Sequence, residues 1–482
     1  MHFFGTDAKS WYALRVKVFT GLCCRGILSC FVGAANFILF NLAFAQDVTP
    51  IERVKRPSVI LITVDTLRAD YVSNHNSPLA QTPHLKTLAL QGWSFTECFS
   101  ASMLTNPSHA SIMTSLYPKD HNVYDNESGI ATNTPSLAQT FLQQGYATHA
   151  VINFPHLNPN VSNLGQGFQQ IVKAQAKERR ANDTTLLALT TLDNRNQTQP
   201  FFMWLHYTDP HAPYDPPQSY ISRQFYQGIS IKTASQVAPA FQRNNLWFQN
   251  IFHNFKFIED IKERYRGEVE YTDAQLGRLF QGLRDRNLWH DAIVVVTSDH
   301  GENLGEHNLF FHHGSLYETT THVPLIIKPS DSTQEEKDMT ITSLVETVDI
   351  APTLLELTGL PSWNKMRGQS LLANVRGQTP SRSYVFNEHM LGQMASIRSR
   401  EYSLILHRKN SNQFPSYKMV RGKKEFYDRL KDKDEQSPLP LSHTAYVMEQ
   451  QLVQLLSDSL QLASVKGQQQ DRESLRALGY VE

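Results

Sequence analysis

The sequence contains little cysteine and no excess of charge of either sign. Only four of its 482 residues are cysteine, and three of them lie within the first 30 residues. If that segment is removed, Cys98 has no partner for an intrachain disulfide, so we expect core packing to hold the fold. Lys and Arg together number 45, as do Asp and Glu, and this balance excludes the basic field typical of nucleic-acid-binding proteins.

The sequence does contain enough apolar residues for a large packed core. Hydrophobic residues make up 40% and aromatic residues 10% of the chain, which excludes global disorder. The length exceeds the usual size of one domain, about 100–200 residues, so we expect two domains of unequal size. The 19 histidines are numerous for this length, and several fall in the motifs described below.

The first 45 residues have the pattern of an export signal. Basic residues precede twenty uncharged residues, Gly26–Ala45, which end in an Ala-x-Ala cleavage pattern that makes Gln46 the expected mature start. The uncharged run is also just long enough to span a bilayer. We therefore expect residues 1–45 to be a signal peptide or an uncleaved anchor, followed by a linker at 46–56. The protein is then exported, to the periplasm or the outside of the cell.

Continuous apolar segments alternate with helical patterns from residue 57 onward. Such segments suit strands that are buried on both faces of a parallel sheet. Amphipathic patterns between them, at Leu137–Gln144 and Tyr265–Arg286, predict helices. The alternation predicts a doubly wound α/β domain at 57–380 with a mixed, mostly parallel sheet. The predicted strands are Pro57–Asp65, Ala147–Asn153, Phe201–Tyr207, Ala292–Ser298 and Val323–Lys328.

Two later segments depart from this alternation. Gln218–Glu263 is irregular and rich in aromatic residues, which indicates an insertion or a lid. Beyond about Pro380 the predicted strands are short and look antiparallel, and a helix near Ala445–Leu462 follows them. We therefore expect a smaller α+β domain at 381–482.

Polar residues at the strand ends supply candidate metal ligands. Asp65 ends the first predicted strand, and Asp299 and His300 follow Ala292–Ser298. Open α/β sheets bind ligands at the carboxyl ends of their strands. Carboxylate oxygens with one imidazole suit Mn²⁺, Zn²⁺, Mg²⁺ or Ca²⁺. For each Asp taken alone, a helix N-cap is the commoner explanation.

Thr105 is a further candidate. The segment Thr105–Thr114 predicts a loop that enters a helix, because Pro107 fits a first helical turn. A helix N-terminus favours an anion, and a hydroxyl at that point can serve as metal ligand and nucleophile. A simple N-cap role for Thr105 is the alternative explanation.

Together these segments resemble the sulfatase family of the alkaline phosphatase superfamily. The strand ending at Asp65 resembles the family's first metal-binding strand, and Ser298–Glu302 resembles its second metal-binding region. Thr105–His109 stands where sulfatases carry Cys-x-Pro-Ser-Arg, and His206–Tyr214 resembles the substrate-binding strand end. The resemblance runs from about residue 57 onward and implies an alkaline phosphatase-like fold. Further matches are Thr82–Leu85, Gly305–His307, Tyr317–Glu318, Val323–Leu325, Val348–Thr353 and Leu475–Tyr480.

The departures from the family pattern bear on the chemistry. Sulfatases convert the motif cysteine to formylglycine, whose hydrate attacks sulfur and later releases sulfate by re-forming the aldehyde. Thr105 cannot form an aldehyde hydrate, and Cys98 lies seven residues upstream. This resembles the phosphotransferase branch of the superfamily, including lipoteichoic acid synthases, which uses a metal-bound threonine and an Asp-His pair. Thr66 replaces a second carboxylate that is frequent in the family, which implies one metal ion rather than two.

The resemblance also implies a metal site and a nucleophile. Asp65, Thr105, Asp299 and His300 would hold one divalent metal ion, with Ca²⁺, Mg²⁺, Mn²⁺ and Zn²⁺ as the candidates. Thr105 would then attack phosphorus or sulfur in line with the leaving group.

Four histidines complete the predicted catalytic residues. His109 stands in the place of the motif arginine and is expected to hold the Thr105 oxygen. His211 is the candidate to protonate the leaving oxygen, since an unperturbed histidine pKa lies near neutrality. His206 either shares that role or orients the donor. His313, where the family usually has lysine, would face the equatorial oxygens of the transferred group.

These residues favour an exported, metal-dependent hydrolase of a sulfate or phosphate ester. The nearest alternative is a transferase that moves a phospho-group from a lipid to a cell-envelope glycan, although such enzymes usually carry several membrane helices. A catalytically silent sulfatase-like binding protein is the third, and retention of the metal ligands argues against it. We expect a small-molecule, glycan or lipid ester as substrate, no nucleic-acid partner, and membrane contact only through the N-terminal segment.

Overall fold

The computed structural model describes most of the chain beyond the N-terminal segment. The predicted signal or anchor at 1–45, all but the last residue of the predicted linker at 46–56, and the Leu475–Tyr480 motif lie outside the described residues. The described residues are 56–73, 79–175, 178–224, 227–230, 255–331, 339–378, 382–414 and 417–467.

Strands are numbered here in chain order through the described residues. They are β1 (Ser58–Val64), β2 (Trp93–Phe99), β3 (Ser128–Ile130), β4 (Ala147–Val151), β5 (Gln170–Val172), β6 (Phe201–Tyr207), β7 (Ala292–Thr297), β8 (Asn303–Leu304), β9 (Phe310–His312), β10 (His322–Lys328), β11 (Met339–Glu346), β12 (Val385–Glu388), β13 (Met394–Arg398), β14 (Tyr402–His407), β15 (Ser411–Phe414), β16 (Tyr417–Met419), β17 (Lys424–Asp428) and β18 (Ser464–Lys466).

Eight of these strands form a central sheet in the order β11-β2-β10-β7-β1-β6-β4-β5. β1 lies near the middle and pairs in parallel with β6 and β7, whereas β10 runs antiparallel between β7 and β2. The prediction of a mixed, mostly parallel sheet is therefore confirmed. Because β1, β6 and β7 are parallel neighbours, the residues that follow them meet at one edge of the sheet.

Helices lie on both faces of this sheet. Ile60 and Ile62 of β1 pack in an apolar cluster on one face, and Val59 and Leu61 pack in a second cluster on the other. Burial of each such side chain stabilises the fold by roughly 1.5–3 kcal/mol, so β1 is held firmly from both sides. The helices are α1 (Pro83–Ala89), α2 (Thr105–Thr114), α3 (Pro118–His121), α4 (Leu137–Gln143), α5 (Pro159–Ser162), α6 (Ala181–Asp193), α7 (Ile258–Asp285), α8 (Glu318–Thr321), α9 (Ile350–Leu357), α10 (Leu372–Val375) and α11 (His443–Ser457).

The long helix α7 begins earlier than its amphipathic pattern predicts. It starts at Ile258 rather than Tyr265, so the predicted insertion Gln218–Glu263 ends in helix. Residues 231–254 of that insertion lie outside the described part of the chain. None of the helices described here has both the length and the apolar composition needed to cross a membrane.

A smaller antiparallel sheet of β12, β13, β14 and β17 follows in the chain. Helix α11 packs on it and ends at Ser457, before the predicted end at Leu462. One apolar cluster joins Met448 and Leu452 of this helix to Tyr117 and Val348, which come from the part of the chain that builds the large sheet. The smaller strand-rich C-terminal region is therefore confirmed, and it packs directly against the first part.

Candidate active site

Asp65 follows β1 at the edge of the sheet where the predicted site residues collect. The next residue, Thr66, takes a left-handed conformation with φ 54°, which costs a β-branched residue ~1–3 kcal/mol. The Tyr265 hydroxyl holds this turn by donating to the Thr66 carbonyl at 2.7 Å. The turn directs the Asp65 carboxylate toward His206 on one neighbouring strand and Asp299 after the other.

Arg68 ties the segment after this turn to the loop that follows β8. Its guanidinium is buried and donates to Glu306 Oε1 at 2.8 Å and to Asp70 Oδ2 at 2.7 Å. Burial alone would raise the pKa of Glu306, but the charge of Arg68 outweighs burial and holds this pKa at about 2, below the usual value of 4.5. Because the folded-state pKa is lowered, ionised Glu306 stabilises the fold above pH 4.5, and this contribution is lost as the pH falls toward 2.

Glu306→Gln is expected to lower the free energy of unfolding near neutral pH by about 2–3 kcal/mol, because buried Arg68 loses one of its two carboxylate partners. The difference from wild type should shrink as the pH falls from about 4.5 toward 2, because the unfolded chain takes up a proton at Glu306 near pH 4.5 and the folded protein only near pH 2. Urea unfolding followed by fluorescence measures the free energy of unfolding of both proteins at neutral pH and at lower pH. Asp193→Asn, which removes an exposed partner of Arg286, is the control and should have a far smaller effect. A difference that stays constant across this pH range would contradict the explanation.

Asp299 and His300 follow β7, the strand beside β1. Asp299 Oδ1 accepts hydrogen bonds from the N–H groups of His300 at 2.9 Å and Thr66 at 3.3 Å. The Ser108 hydroxyl donates to the Asp299 carbonyl at 2.7 Å and so links this turn to helix α2. His300 Nδ1 lies 3.0 Å from the Gly301 carbonyl, and since a carbonyl only accepts, the proton is on Nδ1. The lone pair of His300 Nε2 is therefore available to a metal ion.

Unsatisfied oxygens of Asp65 and Asp299 lie near His300 in an arrangement that fits a divalent cation. Asp65 Oδ1 and Asp299 Oδ2 are buried and accept no hydrogen bond from any residue that the structure describes. Ligand atoms of the three side chains lie within 4.8 Å of one another. Burial raises the pKa of both acids, and repulsion from Asp299 raises that of Asp65 further. A divalent cation would remove this repulsion, so these residues fit the predicted metal ion.

Thr105 is the first residue of helix α2 and lies beside this group. Its Oγ1 is 3.5 Å from His300 Nε2, and the residue is 2% exposed. The Asn106 N–H donates to Asn126 Oδ1 at 3.0 Å, which fixes the start of the helix. The N-terminus of this ten-residue helix carries a partial positive charge that favours an anionic group here. The structure thus brings Thr105 together with the three candidate metal ligands.

His109 lies one turn further along the same helix, and its contact differs from the expected one. Trp204 Nε1 donates to Thr63 Oγ1 at 3.0 Å, and this hydroxyl lies 2.9 Å from His109 Nε2, the ring nitrogen that accepts because Nδ1 of the neutral ring faces a carbonyl. His109 Nδ1–H then donates to the backbone carbonyl of Thr105 at 2.8 Å, not to its hydroxyl. Burial lowers the pKa of His109, so this ring is neutral. The expectation that His109 holds the side-chain oxygen is therefore corrected: His109 fixes the backbone, because the carbonyl four residues earlier in a helix is within its reach.

His206 and His211 both lie at the end of β6 but face different partners. His206 Nε2 is 3.2 Å from Asp65 Oδ2, and burial lowers the pKa of His206 well below its usual value. A neutral ring that donates to Asp65 orients this carboxylate, whereas the prediction had His206 share the role of the donor His211 or orient it. His211 Nδ1–H donates to the Ala212 carbonyl at 2.7 Å and leaves Nε2 for a substrate. Burial and nearby His313 lower the pKa of His211 to about 4, so the expected value near neutrality is wrong for the ligand-free protein.

His313 and Glu302 lie on one side of the site. The His313 ring centroid is 4.4 Å from that of His300 and 6.1 Å from that of His211, so the structure brings this predicted residue into the group. His313 Nδ1 is 3.8 Å from Glu302 Oε1, and Glu302 Oε2 accepts from the Tyr214 hydroxyl at 3.1 Å. Glu302 was not predicted to belong to the site. Its place two residues after His300, at the same strand end, was the available signal.

His156 is a second residue that sequence reasoning missed. It follows β4, is 2% exposed and stacks on Phe154 with ring centroids 5.0 Å apart. Phe154 in turn packs edge-on against His211, with centroids 4.8 Å apart. Burial, followed by the charges of His211 and His109, lowers the pKa of His156 well below its usual value. Only its position after a parallel strand could have indicated it.

Comparisons with known proteins show which family this chain resembles. The sulfatase family model matches residues 57–360, and the model of the C-terminal region of N-sulphoglucosamine sulphohydrolase matches residues 305–458. The chain is similar to arylsulfatase of Clostridium perfringens, with 23% identity over 440 residues that cover 79% of this chain and 89% of that protein. It is also similar to arylsulfatase K of Bos taurus, with 26% identity over 357 residues that cover 66% of this chain and 65% of that protein.

Two solved structures share the fold. BT4656, solved in complex with its substrate D-glucosamine-2-N,6-O-disulfate, superposes with a TM-score of 0.68 and 22% identity, covering 84% of this chain and 97% of that chain. Phosphonate monoester hydrolase of Agrobacterium radiobacter superposes with a TM-score of 0.65 and 22% identity, and the match covers 83% of this chain and 95% of that chain. The family model itself matches more than half of the chain. The chain therefore belongs to the sulfatase family of hydrolases.

Proposed function

We propose that this protein is an exported, metal-dependent hydrolase that cleaves a phosphate or sulfate ester with Thr105 as its nucleophile. One observation carries the proposal. One oxygen of each of two buried carboxylates, Asp65 Oδ1 and Asp299 Oδ2, has no hydrogen-bond donor among the described residues and lies near His300 Nε2, and the Thr105 hydroxyl is 3.5 Å from that nitrogen. A divalent cation would satisfy both oxygens, and the Thr105 hydroxyl would then lie beside that cation at a helix N-terminus.

Asp65, Asp299 and His300 would hold one divalent ion, with Ca²⁺, Mg²⁺, Mn²⁺ and Zn²⁺ as candidates, and Thr105 would complete its protein ligands. When bound, this ion supplies Lewis-acid chemistry, which lowers the pKa of a hydroxyl and neutralises an ester oxygen. His206 keeps the Asp65 carboxylate in place through its 3.2 Å contact. His109 fixes the Thr105 backbone, so the hydroxyl starts each turnover from one position.

The Thr105 hydroxyl would release its proton to water and its oxygen would attack phosphorus or sulfur, while the bond to the leaving oxygen breaks on the opposite side. His211 Nε2 is the proposed proton donor, since a bound anionic ester raises the pKa that burial has lowered. After the leaving group departs, neutral His211 is suited to take a proton from the water that attacks the threonyl ester. His313 faces the transferred oxygens from the side of His300.

The proposal of an ester of sulfur or phosphorus rests on the site rather than on one relative. One structural relative was solved with a disulfated glucosamine, and another is a phosphonate monoester hydrolase. Proteins of this fold therefore act on groups that contain sulfur and on groups that contain phosphorus. A glycan, lipid or small-molecule ester is the proposed substrate. Export remains a proposal that rests on Gly26–Ala45 and the cleavage pattern before Gln46.

Aryl phosphate mono- or diesters are expected to turn over faster than aryl sulfates. Thr105 cannot release the transferred group by re-forming an aldehyde. Each turnover therefore needs a second in-line attack on the same phosphorus or sulfur atom. A cation and a helix N-terminus stabilise the more highly charged phosphoryl group better than the sulfuryl group, so release of a sulfated threonine should be slow. Parallel assays with esters of one phenol and an added divalent metal measure the ratio. Aryl sulfates that turn over far faster than every phosphate ester would contradict the phosphoryl preference.

A further inference from the structure

A cavity of about 550 Å³ lies outside the catalytic group, between the loop after α3 and the C-terminal region. One wall comes from Tyr124, Asp125 and Ser128. Ser464 and Lys466 of β18, the strand that pairs with β3, lie beside Ser128, and a second wall comes from Arg408 and Lys409, which follow β14. A volume of this size holds one or two sugar rings, and nothing in the proposed mechanism uses it.

The charges that line this cavity are mostly positive. Lys466 Nζ lies 3.2 Å from Asp125 Oδ2, and Arg408 Nη1 lies 3.5 Å from Glu388 Oε1, which belongs to a buried residue. Lys409 Nζ donates to the Leu391 carbonyl at 2.5 Å. Three cationic side chains therefore line the cavity, and two of them are paired with the carboxylates of Asp125 and Glu388, which leaves an excess of one positive charge. On a chain with no net charge, this is a local excess that favours an anionic ligand.

Leu391 at the cavity wall is both exposed and strained. It has φ 52°, which is uncommon for a bulky residue, and 49% of its surface is exposed. Its N–H donates to the Tyr124 carbonyl at 3.3 Å, and its carbonyl accepts from Lys409, so both walls hold it in this conformation. Strain that the surroundings maintain is typical of ligand-binding positions. The exposed isobutyl group offers an apolar contact of the kind that packs on the face of a sugar ring.

The cavity wall is also fixed to the start of the catalytic helix. Asn126, between the lining residues Asp125 and Ser128, accepts from the Asn106 N–H at 3.0 Å. The Asn106 side chain donates to the carbonyls of Asn126 and Ser128, each at 3.2 Å. Asn106 directly follows the nucleophile Thr105. A ligand in the cavity is therefore bound to the same segment that positions Thr105.

We infer that this cavity is a subsite for an anionic sugar unit of an oligosaccharide whose ester is cleaved at Thr105. The inference rests on the proposed function and narrows its substrate class. Side chains with hydroxyl, amide or charged groups form most of the lining, including Asn122, Ser128 and Ser464, which suits a ring that carries hydroxyls. A lipid chain would need an apolar lining, and only Tyr124 and Leu391 supply one.

The test measures binding without turnover. In a Thr105→Ala background, sulfated tetrasaccharides from heparan sulfate and from carrageenan are titrated by calorimetry, together with the same tetrasaccharides after chemical desulfation. Lys409→Ala/Lys466→Ala should weaken binding of at least one sulfated tetrasaccharide by about tenfold or more, since two charged contacts are lost. Lys431→Ala/Lys433→Ala removes the same charge from residues that do not line the cavity, and should change the affinity by less than about twofold.

The inference is overturned if no sulfated tetrasaccharide binds, if the desulfated forms bind equally well, or if both double variants lose affinity alike. A single-stranded oligonucleotide that binds more tightly than every glycan, with the same dependence on Lys409 and Lys466, would also overturn it. Because no ester is cleaved in these titrations, the result is independent of the proposed hydrolysis. Loss of the proposed function would instead appear as intact glycan binding without turnover in the wild-type protein.

Discussion

Thr105→Ala is expected to reduce ester turnover by about 10³-fold or more, because no other group would form the covalent intermediate. Thr105→Ser keeps a hydroxyl at the helix N-terminus and should retain a measurable part of the activity. The Thr105 hydroxyl has one weak contact within the described residues, His300 Nε2 at 3.5 Å, so its removal should leave the fold intact. Steady-state assays with an aryl phosphate, alongside thermal unfolding, measure both effects.

Thr114→Ala is the matched control for this substitution. Thr114 lies at the other end of the same helix, is fully buried, and donates its hydroxyl to the Ala110 carbonyl at 2.6 Å. Its replacement removes a buried hydroxyl from α2 without touching the site, so turnover should stay within about twofold of wild type while stability falls slightly. Full activity in Thr105→Ala would remove the nucleophile assignment.

Asp299→Asn and His300→Ala are each expected to abolish both bound metal and turnover. Each removes one ligand from a group of three, and asparagine keeps the Oδ1 acceptor that the His300 and Thr66 N–H groups use. The fold should therefore persist in Asp299→Asn. Elemental analysis of the purified proteins measures the metal, and turnover is assayed with and without added divalent ions.

Glu302→Gln separates loss of a ligand from loss of negative charge. Glu302 is a buried carboxylate near the site, yet it does not belong to the group of three, so this variant should keep its metal. Metal at wild-type occupancy in both Asp299→Asn and His300→Ala would show that the assigned ligands are wrong. Equal metal loss in Glu302→Gln would show that net charge, rather than these ligands, holds the ion.

The sequence predicted the sheet, and the close approach of Asp65 and Asp299, for one shared reason. Strands buried on both faces are continuous apolar runs, so Phe201–Tyr207 could be delimited to the residue. Parallel strands end at the same edge of a sheet, so Asp65 and Asp299 had to lie near each other once their strands were neighbours. Thr105 was harder, because only the family motif placed its helix at that edge.

The remaining features depend on contacts that no sequence pattern encodes. Glu302 and His156 enter the site because loops pack together, and the His109 contact depends on which oxygen lies within reach of its ring. The low pKa of His211 follows from burial beside His313, which lies about a hundred residues away in the chain. The left-handed turn at Thr66 could not be predicted either, because it is stabilised by a hydrogen bond from Tyr265, which lies on a helix distant in the sequence.

The most direct test of the central claim is to identify the residue that carries the covalent intermediate. Wild-type protein with its metal is mixed with an aryl phosphate, quenched in acid within the first turnovers, digested and examined by mass spectrometry. The proposed mechanism predicts one phosphoryl group on the peptide Thr105–Thr114, localised to Thr105 by fragmentation. A phosphoryl group on another residue, or an unmodified peptide during rapid release of the phenol, would contradict it.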